Sequence, residues 1–276
     1  MQILINGLKT NRAFAVSSFF VLLLIAVALA APLIAPYDPL EAVMQNAYLP
    51  PSAEHLFGTD KLGRDNFSRI LYGASYSLSS VLLLVTIIFI VGTTLGVLAG
   101  YYGGKVDIVI MRISDMMISF PGMILAIAVA GILGGSLINA IIALTIVTWT
   151  KYARLARSMV LKIKKRDFVE AAIVNGGTST HILWKHILPN ILPLMVITAA
   201  SDIGAMMMGL AGLSFLGFGS QPPAPEWGLM LNEGRQQLQT APWLMIFPGL
   251  AIFVTVVIFN LWGDALRDVL DPRQEE

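Results

Sequence analysis

The sequence predicts an all-α, polytopic membrane protein with about six transmembrane helices. Three observations predict it. Of 276 residues, 56% are hydrophobic and 13% charged, and the mean hydropathy of +0.75 lies far from soluble averages. The apolar residues collect in runs of roughly 20, the number a helix needs to cross a hydrocarbon core. Lysine and arginine crowd into some gaps between the runs and are scarce in others. The absence of cysteine excludes disulfides, thiolate metal sites and cysteine nucleophiles. A net charge of +1 gives no charge argument for a nucleic-acid partner.

The length rule places spans at residues 13–35, 76–101, 113–133, 137–159, 191–213 and 242–262. The first follows Lys9 and Arg12 and is too long for the apolar core of a signal peptide, so it reads as a membrane helix. Lys9 and Arg12, then Lys105 and Arg112, then Lys151, Arg154, Arg157, Lys162, Lys164, Lys165, Arg166 and Lys185 all fall on one side of a six-span chain. That side is expected to be cytoplasmic, and both termini with it. The outer stretch 36–75 sets Lys61, Arg64 and Arg69 against Asp38, Glu41, Glu54, Asp60 and Asp65, and the last outer loop carries Arg235.

Within 36–75, Tyr37-Asp38-Pro39 and Leu49-Pro50-Pro51-Ser52 disfavour helix and predict an extended crossing segment. After them, Phe67, Ile70 and Leu71 lie at helical spacing opposite a charged face, which predicts a short amphipathic helix at the outer interface. In the last outer loop, Gly217-Phe218-Gly219 and Pro222-Pro223-Ala224-Pro225 end the fifth span. A partly apolar helix then runs past Arg235 and Leu238, with Trp227 and Trp243 as interfacial anchors.

The polar interlude 167–190 predicts two short helices. Asp167 caps the first, Glu170 sits in its first turn, and Ala171 and Ala172 are small enough for another protein to approach closely. Gly176-Gly177 ends it. Thr178 or Ser179 caps the second, 181–188, which presents Ile182, Leu183, Trp184 and Ile187 until Pro189 turns the chain back to the membrane. The residues alone leave open whether this is a docking knob or a connection whose helices pack on their own chain.

Two carboxylates lie inside predicted spans, where charge is costly. Asp115 is close enough in sequence to pair with Arg112, so a structural ion pair and a pathway role both stand. Asp202 has no basic neighbour in sequence and reads as part of a translocation pathway. Met206, Met207 and Met208 follow it, either as soft metal ligands or as core filling, so metal ligation is left unknown. His55 has no second ligand at metal spacing and reads as structural.

Glu170-Ala171-Ala172, three residues, Gly176, nine residues, then His186-Ile187-Leu188-Pro189 resembles the coupling loop of ABC importer permeases. His186 stands in that pattern's aliphatic slot, a variant similar to the peptide/nickel branch. Gly58-Thr59-Asp60-Lys61-Leu62-Gly63-Arg64-Asp65 resembles the same branch, as does the C-terminal stretch closing on Asp271-Pro272. The resemblance implies that Glu170, Ala171, Ala172, Gly176, His186, Leu188 and Pro189 couple the chain to an ATPase. Asp202, Met206 and Asp115 are the candidates for the substrate pathway. It implies a permease subunit in the bacterial cytoplasmic membrane moving nickel or a metal chelate, with dipeptides or oligopeptides as the alternative. The expected partners are a second permease in a heterodimer, two ATPase subunits and an external solute-binding protein.

No Gly-x-x-x-x-Gly-Lys-Ser/Thr phosphate loop is present. The chain is therefore expected to be non-catalytic and free of cofactors, with ATP and Mg in the partner subunits. The expected division is an N-terminal helix and outer loop at 1–75 and a permease domain at 76–276. A secondary transporter working without an ATPase is the rival from another class, and a membrane enzyme would need a catalytic set that the sequence does not display.

Overall fold

The computed structural model describes residues 7, 8 and 10–270; Lys9 and the Asp271-Pro272 segment lie outside the described residues. The chain is helical, and among the described residues the one β feature is an isolated bridge between Thr59 and Asp65. Helix α1 is Arg12–Ile34 and α2 is Asn66–Tyr102. Helices α3, Gly104–Ile118, and α4, Gly122–Leu133, follow, then α5, Leu137–Ile163. The polar interlude holds α6, Asp167–Val174, and opens α7, Ser179–Phe215, which contains a π turn at Leu183–Ile187. Helix α8 is Trp227–Gly234 and α9 is Trp243–Leu270.

These elements match the predicted spans with three corrections. Helices α1, α2, α7 and α9 are each long and apolar enough to cross a bilayer, whereas α3 and α4 reach that only as a pair bent by 95°. The bend falls at Pro121, because a proline drives the residue before it out of helical geometry. The sixth unit, α5, has 27 residues and runs past the predicted end at 159, so Lys162 also lies within it rather than in the following loop. The predicted outer amphipathic helix is not separate: its residues are the first turns of α2, started by Asp65, whose Oδ2 accepts from the Ser68 amide at 2.7 Å.

Small residues set how the helices meet. A Cβ at Gly92 would lie 2.7 Å from the Trp149 carbonyl, at Gly96 2.2 Å from the Ala153 carbonyl, and at Gly100 3.0 Å from the Arg157 carbonyl. Spaced four apart, the three glycines make one bare stripe along α2, and Ala153 and Ala156 of α5 lie against it, both fully buried. A second seam joins α7 to α9, where a Cβ on Gly263 would come 2.7 Å from Ser201 Cα and one on Gly204 2.4 Å from Asn260 Oδ1. Helix α1 packs on α2 and α9, with the Ser75 hydroxyl donating to the Ala28 carbonyl and Trp262 Nε1 to Ser18 Oγ at 3.1 Å.

The charges of 60–69, expected on a solvated face, are instead buried. Arg64 and Arg69 are 2% and 1% exposed. Arg64 Nε donates to Asp60 Oδ2 at 2.6 Å, and both guanidiniums reach Glu233 of α8, Arg64 at 3.3 Å and Arg69 at 2.9 Å. His55 Nδ1 pairs with Asp65 Oδ1 at 2.9 Å, the structural role expected for it. Trp227 is not an interfacial anchor: it is buried against α2, its Nε1 donating to the Ile70 carbonyl at 3.0 Å. Glu226 caps α8 through the Gly228 and Leu229 amides at 2.8 and 2.9 Å. Burial raises its carboxyl above the usual range, opposed by those amides and by the Ser214 and Ser77 hydroxyls.

Gly96→Val should separate α2 from α5 and cost at least about 2 kcal/mol, read as a fall in thermal midpoint and in monodisperse yield in detergent. Gly212→Ala, whose Cβ would meet only Met123 Cε at 3.5 Å, should behave as the parent. Glu233→Gln removes the charge shared by two buried arginines and should destabilise by roughly 3–5 kcal/mol. Lys61→Ala, at the exposed rim of the same cluster, should cost less than about 1 kcal/mol. Equal thermal shifts for those two variants would mean that burial of the arginines is not what makes the cluster matter.

Candidate functional site

The loop between α5 and α7 is built as a rigid projection. Arg166 rather than Asp167 holds the N-cap position of α6, without a side-chain bond, and Asp167 and Glu170 occupy the first turn. Their carboxylates there favour the positive end of the helix dipole. At the other end, the Gly177 amide donates to the Ala172 carbonyl at 2.9 Å and the Gly176 amide to the Ile173 carbonyl at 3.0 Å. This paired closure needs a left-handed residue between, and Gly176 supplies it at φ +78°. Thr178 then caps the next helix, its Oγ1 accepting from the His181 amide at 3.3 Å.

That next helix does not stop at Pro189 as expected. It continues as α7 to Phe215, so the predicted second short helix is the first part of a 37-residue rod. Pro189 lacks an amide proton, and the π turn at Leu183–Ile187 lies next to this break in the bonding ladder. Asn190 Nδ2 donates to the His186 carbonyl at 2.7 Å, satisfying an acceptor there.

Burial divides the loop into an anchored side and a presented side. Val169, Ile182 and Ile187 are buried in the main core cluster, so two of the apolar contacts expected to face a partner instead tie the loop to its own chain. Facing outward are Phe168, Glu170, Ala171, Ile173, Gly176 and Pro189, with Val174 at 85% and Trp184 at 69% exposure. Ala172, His186 and Leu188 are half-buried between the two sides, and the His186 ring lies 5.7 Å from that of His181 and 6.2 Å from that of Phe168.

A second constellation lies along α5. Lys151 Nζ donates to both oxygens of Asp202 on α7, at 2.7 and 2.8 Å, and buried Tyr152 lies beside that carboxylate. One turn on, Arg154 pairs with Asp115 of α3 and donates from Nε to Ser114 Oγ at 3.0 Å. Arg157 pairs with Asp107, Nη2 to Oδ2 at 2.6 Å. Asp115 is thus answered by Arg154 and not by Arg112, and Asp202, without a basic neighbour in sequence, has one in space. Cations at 151, 154 and 157 recur at helical spacing on α5, a signal already readable within the predicted span 137–159.

Met206, Met207 and Met208 do not converge. Successive residues diverge around a helix, leaving Met206 half-buried, Met207 buried and Met208 exposed. Among the described residues no group of three His, Cys, Asp or Glu side chains could hold a metal ion.

Comparison with known proteins agrees with this architecture. Residues 92–276 match the family described as binding-protein-dependent transport system inner membrane component, and residues 1–51 match the N-terminal TM domain of oligopeptide transport permease C. The chain is 45% identical over 268 residues to the dipeptide transport system permease protein DppC of Alkalihalophilus pseudofirmus, covering 97% of this chain and 88% of that one. It is 47% identical to the glutathione transport system permease protein GsiD of Pectobacterium atrosepticum, covering 93% and 86%. It is 40% identical to the nickel transport system permease protein NikC of Escherichia coli, covering 96% of each. In fold it is similar to a chain of the inward-facing MetNI methionine ABC transporter, at a TM-score of 0.59 and 21% identity, over 74% of this chain and 97% of that one. With family and fold in agreement over most of its length, this chain belongs to the binding-protein-dependent transport system inner membrane components.

Proposed function

We propose that this chain is the non-catalytic permease subunit of an ATP-driven importer in the bacterial cytoplasmic membrane. The observation that carries the reading is the anchored knob of α6 and the start of α7. Its outward face combines Phe168, Ile173, Val174 and Trp184 with the acidic Glu170. Exposed apolar side chains on a rigid base, next to a carboxylate, fit a cleft on a soluble partner.

The partner supplies what this sequence lacks, since it contains no phosphate loop. Two ATPase subunits with bound ATP and Mg dock on this knob and on that of a second, homologous permease, with both termini and the knob on the cytoplasmic side. A solute-binding protein delivers cargo to the opposite face. Closure of the ATPases moves the knob, α7 moves with it as a continuous helix, and the path between the permeases changes the side to which it opens. The 1–75 segment serves as a peripheral helix and outer strap to the permease unit at 76–276. Nickel or a metal chelate and short peptides are the two cargo classes, supported by relatives named for dipeptide, glutathione and nickel transport.

Val174→Asp should leave folding intact, because this side chain makes almost no contact within the chain. It should lower co-purification of the ATPase subunits by roughly tenfold. Gly176→Val places a β-branched residue at φ +78°, and Glu170→Lys reverses a presented charge. Each should abolish ATP-dependent uptake while membrane insertion stays normal. Transport-coupled ATP hydrolysis at the parent rate in both variants would end the docking reading in favour of a transporter that needs no ATPase.

A further inference from the structure

Lys151 pairs with Asp202 at a point well inside α5. It stands 14 residues from Leu137 and 12 from Ile163, so about 21 and 18 Å from the two ends of α5. Its partner Asp202 lies 23 residues from the start of α7 at Ser179 and 13 from its end at Phe215. Yet the Lys151 side chain is 56% exposed while that of Asp202 is 12% exposed. Hydrocarbon cannot solvate a half-exposed ammonium. The open side of Lys151 therefore faces water or a polar protein surface. The half-exposed pairs Arg154–Asp115 and Arg157–Asp107 extend the same polar character along α5.

We infer that Lys151 and Asp202 form an exchangeable ion pair that recognises zwitterionic, peptide-like cargo in the translocation path. This rests on the importer reading above, in which the path runs along the seam between two permeases. The carboxylate is the fixed half of the pair, sunk between α5 and α7; the lysine is the mobile half, on a flexible stem. A ligand ammonium replaces Nζ on Asp202, and the released Nζ takes the ligand carboxylate. One ion pair becomes two, and no charge is left uncompensated at any stage. A cargo without the ammonium would strand Asp202, and a bare divalent cation would add charge to a pair that is already neutral. The site thus favours cargo bearing both a free ammonium and a free carboxylate, and disfavours the hydrated nickel ion.

The test uses the complete transporter, with its partner permease, ATPases and binding protein, reconstituted in vesicles and offered dialanine, tetra-alanine or nickel ion. The parent should take up at least one peptide with ATP, and Lys151→Met/Asp202→Asn should lower that uptake by roughly tenfold or more. The charge-swapped Lys151→Asp/Asp202→Lys guards against misfolding, because it keeps an ion pair between α5 and α7. It should assemble as the parent does and still transport poorly. Swapped charges that restore uptake to within about twofold would reduce the pair to a latch between helices. Nickel uptake by the parent without peptide uptake would likewise overturn the inference while leaving the importer reading in place. Failure of the parent to move any of the three with ATP would bring down both.

Discussion

Three glycines let α2 lie backbone to backbone on α5, and the rest of the bundle is arranged around that contact. In a bilayer, two apolar helices gain nothing from hiding from water, so association depends on dispersion across closely fitted surfaces. Gly92, Gly96 and Gly100 remove the side chains that would keep the backbones apart, and Ala153 and Ala156 keep the facing surface low. Helix α5 can then be central despite its cations. With one face pressed to α2, its other sides carry Lys151, Arg154 and Arg157 toward carboxylates on α7 and α3.

The two ends of the bundle use charge in opposite ways. At one end Asp60, Arg64, Arg69 and Glu233 are buried together, tying the segment before α2 to α8. Such a cluster contributes little net free energy but penalises any rearrangement that leaves one member alone, so it suits a cap that holds its shape. At the other end the charge and the large apolar side chains of α6 and the start of α7 point outward. Val169, Ile182 and Ile187 root that projection in the core, and α7 runs on from it, through the π turn beside Pro189, to Phe215. A displacement at the knob therefore has a stiff element to travel along, one that also carries Asp202.

Much of the loop's design was legible because it is local. The dihedral freedom of Gly176, the capping by Thr178 and the placement of Glu170 in a first turn depend on neighbours within a few residues, and the structure has each of them. The errors arose where a residue's role depends on distant chain. Trp227 read as an interfacial anchor, but its indole is buried on α2, 157 positions from Ile70. Ile182 and Ile187 read as presented contacts but face inward, since helical periodicity marks an apolar face without saying which surface covers it.

By itself the sequence determined the composition of a membrane protein, the rough position of its spans and the short-range geometry of the loop. These follow from transfer free energies and backbone preferences that act over a turn or two. Only the tertiary structure decided that Asp202 is answered by Lys151 and Asp115 by Arg154. It alone decided, too, that the arginines of the outer segment are buried. Charge can enter a low-dielectric interior only with a partner. That partner is supplied by packing, which brings together residues 51 positions apart for Lys151 and Asp202 and 169 apart for Arg64 and Glu233.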